Sequence, residues 1–517
     1  MDPNSKRIEW RYRTTQLSLR MKNLLLLASS ICIASFSKGQ LTAQLQSVFE
    51  EHDLMGMSVW VHCQGHSTEY HFGLRDFTRE LPMNEDSKYR IASISKTITS
   101  LGLMKLYDQG LFELDDDISD YMGYQIINPN HPSTPVTFRM LLSHTSSLQD
   151  GTGYNGFISA TFSQNPIPNI SQLLVPGGTN YTANMWRLEN PGSHFAYSNA
   201  NYALIGTLIE QISGERFDLF MQEEILTPLG ITGSFNVTLL PDINDVAVIY
   251  RNQGGWNPQV DNYQGLMPNP INTTGYQPGT NGLLFGPQGS LRASAGELGK
   301  VMLFYMTNGQ SAPGLLSSET LDLMRSMQWS YNGSNGDNYY GLFNRWGLGL
   351  HHANTVADDQ ICLNQGWGTF IGHPGEAYGL VSDAYFNEEN EVALVFMHNG
   401  IFGGHQNGVQ SIYYTVEEDV FNTICAHWAV CSNNIFEDAR LGFAIAPQPS
   451  NPGEFIIRIP NGVDSIRLDV INSGGQTVAQ ERFTGSEYSL NLTSMANGVY
   501  VINISSSIGT ATLKAVK

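Results

Sequence analysis

The chain has 517 residues, 41% of them hydrophobic, with a formal net charge of −20 and a mean hydropathy of −0.19. That is enough for one large globular unit and a smaller one, and the composition is not that of a disordered chain. A sequence pI near 5.0 argues against nucleic acid and anionic membrane surfaces as partners, because both require basic patches.

In chain order, the first feature is an apolar run from Leu24 to Phe36. It follows Met21-Lys22 and ends in the small residues Ser35, Ser37 and Gly39. It is short for a bilayer span and has the charge, apolar core and small-residue exit of a secretory signal. A polar stretch, Met1 to Arg20, precedes it, so residues 1–39 read as an N-terminal extension plus signal, with the mature chain starting near Gln40. Four cysteines follow: Cys63, Cys362, Cys425 and Cys431. Sequence alone leaves three pairings open; the closeness of Cys425 to Cys431 points to a bridge between those two. No cluster of Cys, His and carboxylates has metal-site spacing, so neither metal nor cofactor is expected.

Met57–Cys63 and Thr68–Phe72 alternate as a hairpin with Gly65 at its turn. From Ser93 to Gln109 the apolar residues fall at Ile94, Ile98, Leu101, Met104 and Tyr107, helical spacing stopped by Gly110. Residues 111–285 are rich in Pro, Gly and Asn, with helices near Met140 and over Ala200–Ile212. Ala295–Met306 is helical again. Leu348–His351, Gly379–Phe386 and Glu391–His398 read as strands, and an amphipathic helix surrounds Tyr413–Trp428. This order implies an α/β (α+β) fold: an antiparallel sheet flanked by helices, with an inserted helical region, over 40–432. Beyond Gly442 the strands Glu454–Ile459, Ile466–Ile471, Tyr488–Leu492 and Val499–Ile504 describe a small β-sandwich in a separate unit, 433–517.

Three short motifs carry chemistry. Ser93 and Lys96 open the first long helix and project from one face of it. A serine hydroxyl becomes a nucleophile when a neighbour takes its proton, and a desolvated lysine can do that. A second Ser-x-x-Lys, Ser35 to Lys38, lies in the signal, so context must choose between them. Tyr197-Ser198-Asn199 supplies it. A tyrosine beside a cation can have its pKa lowered and act as acid and base, and the Asn199 carboxamide can meet both a substrate carbonyl and Lys96. His373-Pro374-Gly375, followed by Glu376, is the third motif: a glycine on an edge strand admits a substrate backbone, and the next N–H can complete an oxyanion hole. His398-Asn399-Gly400 repeats that pattern but reads as the turn ending a strand.

Ser-x-x-Lys, Tyr-x-Asn and His-x-Gly, in this order, resemble the class C β-lactamase, DD-peptidase and esterase group. Leu141–Ser146, the run from Tyr197 to Gly230, and Gly289 to Leu298 resemble it too, so the likeness covers roughly residues 45–430. The resemblance implies Ser93 as the acylated nucleophile and Lys96 with Tyr197 as the acid–base pair. It assigns substrate positioning to Asn199 and His373, and an oxyanion hole to the N–H groups of Ser93 and Glu376 beside Gly375. The activity implied is acyl transfer on an ester, amide or D-peptide. A β-lactamase or DD-carboxypeptidase is the near alternative, and a catalytically silent surface-binding protein the distant one. The last 75 or so residues resemble the C-terminal sorting domain of type IX secretion cargo in Bacteroidetes. The matching features are Pro447-Gln448-Pro449, Gly453–Phe455, the Asn472–Gly475 hairpin, Asn497–Val501 and the basic end at Lys514 and Lys517. That likeness implies an outer-membrane secretion machinery as partner and a secreted or cell-surface location.

Overall fold

The computed structural model describes residues 39–431, apart from five positions between 355 and 365, and the strands of a C-terminal unit between 436 and 516. The signal, Ser473 to Gly475, and Asn497 with Gly498 lie outside the described residues. So do Gln448, Pro449 and Gly453. The chain divides into two compact units at Trp428/Ala429.

The larger unit is organised by a nine-stranded antiparallel sheet. Its strands are β1 (Gly56–Cys63), β2 (His66–Asp76), β3 (Leu81–Pro82), β4 (Trp329–Ser330), β5 (Arg345–Trp346), β6 (His351–Ala353), β7 (Phe370–Ala377), β8 (Leu380–Asn387) and β9 (Val392–His398). The spatial order is β3-β2-β1-β9-β8-β7-β6-β5-β4. Pairing of β1 with β9, Met57 opposite His398, joins the two ends of the unit. The segment between β3 and β4, residues 83–328, carries most of the helices of this unit.

Five helices matter for the site: α1 (39–51), α2 (Ile94–Asp108), α3 (Asn199–Ser213), α4 (Ala295–Met306) and α5 (Thr415–Cys431). α4 starts in a capping box, Ser294 and Glu297 each satisfying the other's backbone, which meets two of the orphan donors at a helix start. It covers one sheet face, approaching so closely that a Cβ at Gly299 would meet the Trp60 ring. α5 covers the opposite face: Trp428 stacks on Phe370 with ring centroids 5.7 Å apart and donates to the His62 carbonyl. Because both faces are covered, every residue of β1, β8 and β9 is buried.

Two expectations are corrected. Residues 348–350 form no strand; β6 is only His351–Ala353. Cys425 bonds to Cys362, with Cα atoms 5.8 Å apart, not to Cys431. α5 runs unbroken through Cys431, and a six-residue step along a helix rises about 9 Å and turns to another face, beyond the reach of a disulfide. Cys63 is disulfide-bonded as well. No helix among the described residues is long and apolar enough to cross a membrane.

The smaller unit has two four-stranded antiparallel sheets. One core lies between them, including Ile457, Leu468, Val470, Leu490, Ile502 and Ile504. Strands Thr477–Phe483 and Gly509–Val516, unread from sequence, complete the second sheet.

Candidate active site

Ser93 is held at the entry to α2. The preceding pair Tyr89–Arg90 is zipped to Arg292–Ala293, and Asp261 accepts from both Arg90 (2.9 Å) and Arg292 (2.7 Å). Ala92, just before the serine, has φ +50°, a conformation an L-residue keeps only when its surroundings impose it. One turn on, Lys96 is 0% exposed. Its Nζ donates to Ser93 Oγ at 3.0 Å and to the Gln288 carbonyl at 2.9 Å. It lies 4.9 Å from the Tyr197 ring centroid and 5.6 Å from that of Tyr202. Burial, only partly opposed by Asp150, lowers the Lys96 pKa to about 7.

Tyr197 forms the next wall, packed on His144 (4.5 Å between centroids) and stacked on Phe343 (5.1 Å). Its hydroxyl lies 3.5 Å from His373 Nε2. Burial pushes its pKa well above the usual phenol value, although a hydrogen bond with Ser93 pulls the other way. The lowered pKa expected of Tyr197 is therefore reversed: desolvation lowers the amine and raises the phenol, since in both it disfavours the charged form. His373, on β7 and almost fully buried, is held neutral, burial and then Lys96 lowering its pKa to about 3.

Gly375 explains how β7 comes so near. A Cβ there would lie 2.7 Å from the Ile91 carbonyl and 3.3 Å from Ser93 N, and would overlap Ser382 Oγ. The strand thus grazes the backbone of the serine. Glu376 follows, exposed, its carboxylate accepting from the Tyr414 hydroxyl at 3.0 Å. Ser93, Tyr197, His373, Pro374, Gly375 and Glu376 line one cavity of about 820 Å³, with Lys96 beneath the serine.

Asn199 is placed differently from expectation. Its carboxamide donates to Asp150 at 2.8 Å rather than accepting from Lys96. Asp150 also accepts from Ser198 Oγ and Ala200 N, so it caps α3. Asp150 was missed in the sequence, and His144 fell within the Leu141–Ser146 likeness without a role assigned to it. His144 accepts from Ser198 N at 3.1 Å and supports the Tyr197 ring; both positioning residues come from one loop about 50 residues before α3. The sequence carried a signal for the aromatic wall, the cluster Tyr339, Tyr340 and Phe343, and none for Glu417, which also lines the cavity. His398 ends β9, and the Asn399 amide ties it to the carbonyls of Leu74 and Val248, the turn expected there. Among the described residues no group of three or more His, Cys, Asp or Glu could hold a metal.

The Beta-lactamase family model matches residues 40–410. The chain belongs to the beta-lactamase family. Members of this family include serine hydrolases of the penicillin-binding-protein type, and residues 444–517 match the secretion system C-terminal sorting domain. A penicillin-binding protein of Bacillus subtilis (strain 168) is 30% identical over 206 residues, 38% of this chain and 43% of that one. The chain spans less than half the length of the curated relatives it matches. Two solved structures share the fold. The octameric penicillin-binding protein homologue from Pyrococcus abyssi has TM-score 0.54 and 19% identity, covering 92% of this chain and 99% of that one. D-amino acid amidase from Ochrobactrum anthropi SV3 has TM-score 0.53 and 21% identity, covering 76% and 99%. A sorting domain of this kind directs type IX secretion.

Proposed function

We propose that the protein is an exported serine hydrolase that cleaves esters, amides or D-peptides through an acyl-enzyme on Ser93. The observation that carries this reading is the Lys96 amine, sealed from solvent 3.0 Å from Ser93 Oγ. With a pKa of about 7, about half of Lys96 is neutral at pH 7, against about one part in 3,000 for an ordinary lysine. Neutral Lys96 takes the proton as Oγ attacks the carbonyl carbon. The oxyanion is held by the N–H groups of Ser93 and Glu376, where β7 grazes the helix start. Tyr197, kept as a neutral phenol, and protonated Lys96 return a proton to the leaving group, and water then releases the acyl group. His373 and Asn199 position the substrate and the Tyr-Ser-Asn turn.

Pro374 favours uncharged substrates, since it offers neither a hydroxyl nor an N–H to a substrate carboxylate. The described cavity lining has no Lys or Arg to replace that contact, and Glu376 opposes it. A β-lactamase or DD-carboxypeptidase is the second reading, favoured by the names of the relatives; the amidase neighbour favours D-amino acid amides. The sorting domain supports passage through the type IX machinery to the surface or medium. The test is covalent labelling by a fluorophosphonate, with turnover of p-nitrophenyl esters, D-Ala-D-Ala peptides and a chromogenic cephalosporin. Labelling and ester turnover, both abolished in a folded Ser93→Ala variant, are expected. Persistent labelling of that variant removes Ser93, and faster cephalosporin than ester hydrolysis replaces this reading with the second.

A further inference from the structure

One wall residue of the Ser93 cavity is built against its own backbone preference. In the loop between β4 and β5, Gly341 N donates to the Asn338 carbonyl at 3.1 Å, closing a turn whose two central residues are Tyr339 and Tyr340. Both have left-handed backbones, with φ +55° and +61°. Hairpin turns reserve that pair of positions for Asn and Gly, because a larger side chain crowds the carbonyl that follows it. The conformation is imposed from outside the turn. Asn344, 7% exposed, accepts from the Asn338 carboxamide at 3.0 Å and donates to the Gly341 carbonyl. Asp337 N donates to the Phe195 carbonyl at 2.9 Å, and the Asp337 carboxylate accepts from Tyr339 N at 3.1 Å. A glycine would take up this backbone at lower cost.

The two tyrosines differ in what they gain there. Tyr339 is half exposed and packs on Tyr197 and Phe343, with ring centroids 5.9 and 5.5 Å away. Tyr340 is 93% exposed. Among the aromatic rings of the described residues it meets only that of Tyr339, edge-on at 6.5 Å. Yet Tyr340 lines the cavity together with Ser93, and two ring contacts link it to Tyr197, the acid–base tyrosine. Its face is therefore open to whatever occupies the cavity, while the protein itself draws almost no packing from it. Tyr339, Phe343, Tyr413 and Tyr414 line the same space. Rings in this setting reward a flat apolar group through offset stacking and edge contacts, beyond the area that it buries. An aliphatic chain gains the area without the ring-to-ring geometry.

We propose that Tyr340 is a specificity-determining residue that stacks on an aromatic ring of the substrate, so that the preferred esters or amides carry an aryl group. The inference rests on the Ser93 acyl-transfer reading and narrows it from uncharged substrates to aryl-bearing ones. Because the clamped turn holds the ring in place before substrate arrives, little loop ordering offsets the contact.

The experiment measures kcat/KM of the full chain on two matched pairs of esters. For the acyl half these are p-nitrophenyl 3-phenylpropanoate and p-nitrophenyl hexanoate; for the leaving half, 3-phenylpropyl acetate and hexyl acetate. Each aryl-to-alkyl ratio is compared between wild type and variants, so intrinsic reactivity cancels. In Tyr340→Ala and Tyr340→Gly at least one ratio should fall roughly two- to tenfold, the worth of one ring–ring contact. Tyr340→Phe should keep the wild-type ratio. Both ratios unchanged in the alanine and glycine variants overturns the proposal, as does a Tyr340→Phe ratio as low as theirs. Urea unfolding checks the turn separately. Tyr340→Gly should unfold at a higher midpoint than Tyr340→Ala, since both lack the ring and only alanine keeps the left-handed strain. A glycine midpoint no higher than that of alanine means the turn does not hold the ring, and the proposal falls. Absence of any Ser93-dependent turnover instead defeats the hydrolase reading, and the role of Tyr340 falls with it. Ser93-dependent turnover with unchanged ratios defeats the role of Tyr340 alone.

Discussion

Lys96→Met should make the protein inactive and, below neutral pH, more stable. The wild-type amine is taken from water, where its pKa is 10.5, to a site where it is about 7. A fall of that size costs roughly 4–5 kcal/mol of stability at pH 6, where the lysine is protonated in both states. Methionine fills a similar volume without charge. The change also removes the donor to Ser93 Oγ and the Gln288 carbonyl, and an orphaned carbonyl costs about 1–3 kcal/mol. The variant should therefore gain about 1–4 kcal/mol at pH 6. Between about pH 7 and 10.5 the unfolded state holds a proton that the native state has lost, so wild-type stability rises with pH across that window. The advantage of Lys96→Met should shrink by about 3 kcal/mol between pH 6 and pH 9.5. Urea unfolding followed by tryptophan fluorescence measures this in the full chain, because all eight tryptophans precede Ala429. A stability difference that does not change over that pH range would mean Lys96 keeps an ordinary pKa, and the proposed base would be lost.

Four further outcomes follow from the same geometry. In the wild type, kcat/KM on a neutral ester should fall about tenfold per pH unit below about pH 7, as Lys96 takes up its proton; a flat profile from pH 5 to 8 contradicts a lysine base. Gly375→Ala should cost about a hundredfold or more in kcat/KM with little change in far-ultraviolet circular dichroism, because its methyl would collide with the Ile91 carbonyl and displace β7 from Ser93. Near-normal rates would show that the strand can move without consequence. Cys362→Ser opens a bridge with a sequence separation of 63 and should lower stability by up to about 4 kcal/mol in the chain-entropy model, read as a urea midpoint shift in oxidising buffer. Pro374→Thr restores a hydroxyl at the cavity wall and should raise cephalosporin or D-Ala-D-Ala turnover about tenfold relative to ester turnover; an unchanged ratio removes Pro374 as the cause of selectivity.

The sequence by itself determined the elements whose signals are local. Ser93 and Lys96 share a helix face because they are three residues apart. Gly110 stops that helix, Ser294 and Glu297 cap α4, and alternation marks the hairpin that begins the sheet. The three motifs, each short and in family order, identified the family and the residues to watch. Only the tertiary structure decided what depends on distant segments meeting. Lys96 is a base candidate because Tyr197, Tyr202 and the Gln288 carbonyl close over it, and burial lowers its pKa. The same burial raises Tyr197, opposite to what a neighbouring cation would do alone. Asn199 turned to Asp150 because an exposed carboxylate from a remote loop reaches the start of α3. Cys425 found Cys362 rather than nearby Cys431, since a helix turns neighbours in sequence onto different faces. Strands β8 and β9 show no polar alternation to fix their faces, so the side of the sheet on which Asp383 and Glu417 meet was set only when α5 packed there. Desolvation and long-range contact carry no sequence period, and they decide the electrostatics of this site.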